Sequence, residues 1–200
     1  MTVIGLTGSS GSGKSTVASL LSDRQFHIID CDTVARTVLR PDTTCLSDIF
    51  HTFGQNVKNE DGSLNRAALA DIVFRDKKKL EQLNGIMYPQ ITADIKKQLE
   101  ELSQQGNRFV VLDAPTLFES GADQLCDITV SVLSEDVLRL QRIMKRDNIS
   151  IEQAKNRLSS QYPNSFYRER SDYTVENSGS IEYLKKQIDQ LIDQIQAKNV

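Results

Sequence analysis

Cysteine and histidine are scarce in this chain, three and two among 200 residues, and their placement excludes much. Cys31, Cys45 and Cys126 are odd in number, far apart and never in a C-x-x-C pair. Neither a zinc site nor a disulfide framework is expected of them. His27 and His51 stand alone, and His27, at a strand entrance, is expected to face solvent rather than a metal. No apolar run reaches membrane-spanning length, and no leader precedes the first strand, so a cytoplasmic protein without membrane contact is expected. A strong excess of one charge is also lacking: 24 Lys and Arg stand against 27 Asp and Glu, a net charge of -3. Such a chain has no global pull on nucleic acid, and an anionic ligand must be held by local positive groups. Repeats, long linkers and low-complexity segments are missing as well. What remains is 38% hydrophobic and 26% charged, the composition of one globular domain with a sizeable core, expected as a monomer or weak homo-oligomer.

Against that background one stretch stands out. Gly8-Ser9-Ser10-Gly11-Ser12-Gly13-Lys14-Ser15-Thr16 matches G-x-x-x-x-G-K-[ST]. The apolar run Val3-Ile4-Gly5-Leu6-Thr7 before it reads as a buried strand, and Val17, Leu20 and Leu21 after it share a helical face. Glycines let the backbone turn through positive φ so that successive N–H groups point at one anion, and the helix start adds its positive dipole end. Gly11, Ser12, Gly13, Lys14, Ser15 and Thr16 are thus expected to hold the phosphates of a nucleotide. Lys14 supplies a point charge, and the Ser15 hydroxyl an oxygen ligand for Mg²⁺. The spacing is not the G-x-G-x-x-G of dinucleotide sites.

Four further strands are legible: Phe26 to Asp30, Arg108 to Asp113, Asp127 to Leu133 and Tyr173 to Glu176. They alternate with helical patterns, which predicts a parallel five-stranded α/β sheet covered on both faces. Expected caps are Asn65, Asp76, Ser134, Ser180 and a capping box at Ser150-Ile151-Glu152-Gln153. Tyr88-Pro89 is expected to start or kink a helix. Ile181, Leu184, Ile188, Leu191, Ile192 and Ile195 form the packing face of the last helix. A helical region over 33–106 is far longer than a crossover connection, so a helical insert forming an acceptor pocket is expected within the single domain 1–200.

Three groups of charged residues complete the candidate site. Asp30-Cys31-Asp32 ends the second strand; Asp32 is placed to accept a proton from an attacking hydroxyl, and Asp30 to orient the acceptor or help hold a hydrated metal, or one of the pair caps the helix from Thr33. The apolar run ending in Asp113 is a Walker B pattern, whose carboxylate orients Mg²⁺. Arg139, Arg142, Arg146 and Arg157 lie on a helical hairpin within 138–165, read as a lid that balances charge on a transferring phosphoryl group, with Arg142 and Arg146 favoured.

The ordered set of Gly8 to Thr16, Asp30-Cys31-Asp32 with Arg36, Asp113-Ala114-Pro115-Thr116-Leu117-Phe118-Glu119, Arg142 with Arg146, Gln161, and Asp172 through Asn177 resembles the dephospho-coenzyme A kinases. The resemblance implies a P-loop kinase fold that moves the γ-phosphoryl of ATP to the ribose 3′-hydroxyl of dephospho-coenzyme A. By position it makes Asp32 the general base, places Asp30, Asp32 and Arg36 at the acceptor, and puts Asn177 at the adenine of ATP. The family's Leu-Leu after the proline is Thr116-Leu117 here, its His-Pro is Tyr88-Pro89, and the place of its lysine near Tyr167 falls to Arg168, to Arg170 or to nothing. A nucleoside or nucleotide kinase would keep the same chemical elements. A GTP-binding switch would need N-K-x-D, which does not occur.

Overall fold

The computed structural model describes residues 1–198. The chain forms two compact units, one from Met1–Ile29 with the chain from Gly106 onward, the other from Asp30–Gln105.

The first unit is built on a sheet of order β2-β3-β1-β4-β5. Its strands are β1 (Thr2–Thr7), β2 (His27–Asp30), β3 (Phe109–Asp113), β4 (Ile128–Leu133) and β5 (Tyr173–Glu176). β1 pairs in parallel with β3, with Leu6 beside Asp113, and with β4, with Thr7 beside Ser131; β4 pairs in parallel with β5. The inner strands are apolar on both sides because helices cover both faces. All six residues of β1 and of β4 are buried. Helix α1 (Lys14–Ser22) and the last helix contribute Val17, Leu21, Leu184 and Ile188 to a core with Ile4, Leu6, Val111, Val130 and Val132.

Both adjacent pairings of β1 join segments far apart in sequence, so the register carries the loop after β1 to the ends of β3 and β4. Other helices of this unit are α6 (Asp136–Asp147), α7 (Ile151–Ser159) and α8 (Asn164–Arg170), with α9 (Ile181–Lys198) last. The capping box at α7 forms as expected: Gln153 N donates to Ser150 Oγ (3.2 Å) and Ser150 N to Gln153 Oε1 (3.0 Å). Ser180 Oγ accepts from Tyr183 N at the start of α9. Ser134 does not cap α6. Its hydroxyl turns inward to donate to Asn177 O (3.0 Å), and Glu135 occupies the cap position without a side-chain bond. On α9, Leu184, Ile188, Leu191 and Ile195 are buried, whereas Ile181 is exposed because the first turn precedes the packed stripe.

The second unit is helical, with α2 (Cys31–Thr37), α3 (Thr44–Phe53), α4 (Arg66–Val73) and α5 (Lys77–Gln104). Its own core joins Leu39, Cys45, Leu46, Ile49, Val57, Leu69, Val73 and Leu83. Asn65 caps α4 and Asp76 caps α5 as expected. Helix α5 runs unbroken through Pro89 for 28 residues, about 42 Å. The residue one turn before that proline is Gly85, where an added side chain would meet only open space. The Lys77-Lys78-Lys79 run is exposed, a solvated helix start.

Candidate active site

The loop between β1 and α1 passes Gly8, Gly11 and Gly13 at positive φ. Glycine is required at all three for space as well as torsion, a Cβ on Gly8 lying 2.5 Å from Val132 O. A Cβ on Gly13 would lie 1.9 Å from Asn177 Nδ2, and one on Gly11 2.7 Å from Arg139 O. The loop is held from outside by its carbonyl oxygens. Arg139 Nε donates to Ser10 O (3.2 Å), Arg142 Nη1 to Gly11 O (3.1 Å) and Ser12 O (3.3 Å), and Asn177 Nδ2 to Ser12 O (2.8 Å). Arg142 also reaches Ser134 Oγ (3.1 Å) and Asn177 O (2.9 Å).

With the carbonyls turned outward, the N–H groups of Gly11, Gly13, Lys14 and Ser15 have no protein partner among the described residues. Four such donors at the start of a helix make a cradle for an anion, and phosphates fit it. The buried Ser9 and Ser12 hydroxyls, also without partners among the described residues, add two further polar groups to the loop.

Lys14 Nζ is ion-paired with Asp113 Oδ1, at side-chain exposures of 17% and 15%. This places the loop's ammonium at the end of β3. Among the described residues no group of three or more His, Cys, Asp or Glu side chains forms a metal cage. Ser15 Oγ and the Asp113 carboxylate are hard oxygen donors, a set that suits a cation shared with phosphate oxygens and water.

Arg139 is 3% exposed, paired with Asp136 (2.7 Å) and bonded to Gln161 Oε1 (3.3 Å). The same Gln161 oxygen accepts from Ser10 N (3.0 Å). Arg146 is exposed; it donates through Nε and Nη2 to the two Asp147 oxygens (2.7 and 2.9 Å), and Nη2 also reaches Ser10 Oγ (3.3 Å). Arg157 pairs with the same carboxylate. The Arg146 hydrogen bond, with both arginine charges beside it, holds the Asp147 carboxyl below its ordinary range. Asp147 escaped the sequence reading; its signal was a lone acid following Arg146 at the end of a basic helix. Gln161 was noticed only through resemblance, and its double hydrogen bond now gives the physical reason.

Tyr167 is 2% exposed and lies beside these groups. Burial, then the charge of Glu119, pushes its phenol up to about 12.

In the second unit, Asp30 is the N-cap of α2. Its Oδ1 accepts from Asp32 N (2.9 Å) and Thr33 N (3.2 Å), and its Oδ2 from Thr33 Oγ1 (2.8 Å). Asp32 is left exposed in the first turn, and Arg36, four residues on, shares its helix face and is also exposed.

A parallel sheet with a phosphate loop on its central strand and a Lys–Asp pair reaching the neighbouring strand end defines the P-loop kinase class. Residues 2–183 match the family described as CoaE: Dephospho-CoA kinase, and the chain belongs to that family. A dephospho-CoA kinase from Carboxydothermus hydrogenoformans is 39% identical over 186 residues, 93% of this chain and 90% of that protein. A crystal structure from Thermus thermophilus superposes with a TM-score of 0.82 at 31% identity, covering 96% of this chain and 97% of that one. The dephospho-CoA kinase from Campylobacter jejuni gives 0.72 at 29% identity, covering 99% and 98%. This chain is therefore a kinase of the family that catalyses the final step of coenzyme A biosynthesis.

Proposed function

We propose that the chain transfers the γ-phosphoryl of ATP to the ribose 3′-hydroxyl of dephospho-coenzyme A, in the cytoplasm, with Mg²⁺. The observation that carries the nucleotide half is the amide cradle at Gly11, Gly13, Lys14 and Ser15 with its carbonyls clamped outward. Family membership carries the acceptor.

Catalysis of phosphoryl transfer rests on positioning and on neutralising charge. The cradle amides and α1 hold the β- and γ-phosphates, and Lys14 turns from Asp113 toward them. Ser15 and Asp113 are the residues that would hold a Mg²⁺ ion, which would supply further neutralisation of phosphate charge. Arg142 keeps the loop in shape and adds its charge behind it, while the exposed Arg146 faces the transferring group. Asn177, which braces Ser12, borders the adenine of ATP. Asp32 takes the proton of the attacking hydroxyl. Its partner Asp30 fixes the start of α2, and Arg36 on the same face as Asp32 binds the acceptor. The insert 33–106 and the hairpin 138–165 serve as acceptor module and lid.

An acceptor panel tests this reading. Purified chain with ATP and Mg²⁺ is offered dephospho-coenzyme A, adenosine, a nucleoside monophosphate and shikimate. Phosphorylation of dephospho-coenzyme A alone supports the proposal; preference for a nucleoside or nucleotide replaces the acceptor.

A further inference from the structure

Tyr162, Phe166 and Arg170 form a three-tier stack beside the phosphate loop. The Tyr162 and Phe166 rings are stacked with centroids 3.9 Å apart at 10°. The Arg170 guanidinium carbon lies 4.0 Å from the Phe166 centroid. Two groups this close to one ring must occupy its opposite faces. Phe118 and Tyr167 meet the edge of Phe166 at 6.1 Å and 5.3 Å, at 78° and 85°. Phe166 is therefore boxed in, and Tyr162 is the top tier.

Tyr162 is 48% exposed, and its hydroxyl has no hydrogen-bond partner among the described residues. Its neighbour in the cluster, Tyr167, shows the alternative of burial, at 2%. Tyr162 thus presents one ring face to Phe166 and the other outward. The backbone on either side is restrained. Gln161 is tied through its side chain to Ser10 N in the loop (3.0 Å), and Pro163 fixes the chain before α8, where Phe166 N bonds Pro163 O (3.0 Å). A rigid aromatic face one residue from a contact to the phosphate cradle is suited to a planar π system joined by one sugar to the phosphates.

We infer that the outward face of Tyr162 is a stacking platform for the adenine ring of a nucleotide bound at this site. This rests on the phosphoryl-transfer reading above. ATP and dephospho-coenzyme A both carry adenine, so the chemistry of the platform is shared and the experiment separates the two sources. Tyr162 is a positioning residue: it orients a nucleotide and does not touch the reacting atoms.

The test compares the wild-type chain with Tyr162→Phe and Tyr162→Leu, measuring KM for ATP and for dephospho-coenzyme A separately, with kcat. Leucine keeps an apolar contact to Phe166 and removes the π face. The Leu variant is expected to raise one KM by roughly five- to a hundredfold, the range for loss of a base–aromatic stack, with kcat and the other KM held. The Phe variant is expected to behave as wild type. A rise for ATP assigns the donor base, and a rise for dephospho-coenzyme A the acceptor base. Unchanged KM values, equal rises for both substrates, a fall in kcat alone, or a Phe variant as impaired as Leu would each overturn the inference. A second readout needs neither turnover nor a folded variant. Adenosine 5′-monophosphate titrated into the wild-type chain should shift the Tyr162 ring protons upfield by NMR, and ribose 5-phosphate should not. Identical responses to the two also overturn it. A wild-type chain that makes no coenzyme A yet shows the adenine-specific shift keeps this inference and discards the acceptor reading instead.

Discussion

The Lys14 ammonium and the Asp113 carboxylate are partners across 99 positions of sequence, linking the first turn of α1 to the end of β3. Both side chains are mostly shielded from water, so removing either one takes an ion-pair partner from a partly buried charge, at a cost in stability. The pairing also means that the charge assigned to phosphate is already placed and compensated in the protein alone.

Lys14→Ala should lower kcat by roughly a hundredfold or more, since it removes a charge aimed at the transferring group. The circular dichroism spectrum should stay that of the wild type. A Lys14→Ala chain with near-normal turnover would refute the role given to this lysine.

Arg142→Ala should both weaken ATP binding and destabilise the free protein. The guanidinium donates to three carbonyls and one hydroxyl, Gly11 O, Ser12 O, Asn177 O and Ser134 Oγ. Leaving these part-buried acceptors unpaired costs about 2–4 kcal/mol. Thermal melting without nucleotide is the check, because an arginine that met only the phosphoryl group would leave that melt unchanged. Lysine should restore little, lacking the planar fork.

Asp30 and Asp32 should separate cleanly. Asp30→Ala removes a cap with three hydrogen bonds and should cost about 1–2 kcal/mol of stability in denaturant melts. Asp32→Asn should leave stability within about 0.5 kcal/mol, as at an exposed site, and abolish turnover. Stability loss in the Asp32 variant with turnover intact would reverse the two assignments.

Tyr167 gives a pH signature. Its phenol titrates at about 12 in the folded chain, against about 10 when unfolded. Because the folded value is raised, the neutral form is favoured by folding. The contribution is fully present below pH 10 and is lost as pH rises through 12, roughly 2–3 kcal/mol in all. Tyr167→Phe should flatten the alkaline limb of a stability–pH curve relative to wild type; superimposable limbs would contradict the assignment.

Much of this was legible in the chain itself, for reasons the structure now makes plain. The glycine loop reads directly because its backbone needs torsions and clearances that other residues cannot meet, as at Gly13 against Asn177. Strand ends and caps at Asn65, Asp76 and Ser150 read well because they depend on neighbours in sequence. What escaped were choices made by distant partners. Ser134 has a capping residue's chemistry, but Asn177 and Arg142 claim its hydroxyl. Pro89 reads as a helix start or kink, and of the two the start is excluded, since α5 continues through it. Helix α8, seven residues long, has too little periodicity to be recognised, and with it the Tyr162–Phe166–Arg170 stack stayed hidden. Asp30 and Asp32 were seen as a pair with one cap between them, but only the backbone geometry of α2 says which one caps.

The central claim is that the phosphate cradle serves an acceptor-dependent transfer. The most direct measurement is ADP release from the purified chain with ATP and Mg²⁺, with and without dephospho-coenzyme A, while mass spectrometry follows the acceptor. The account predicts ADP release that depends on dephospho-coenzyme A and a product heavier by one phosphoryl group, identified as coenzyme A. ADP release at the same slow rate with and without that acceptor, and no coenzyme A formed, would contradict it.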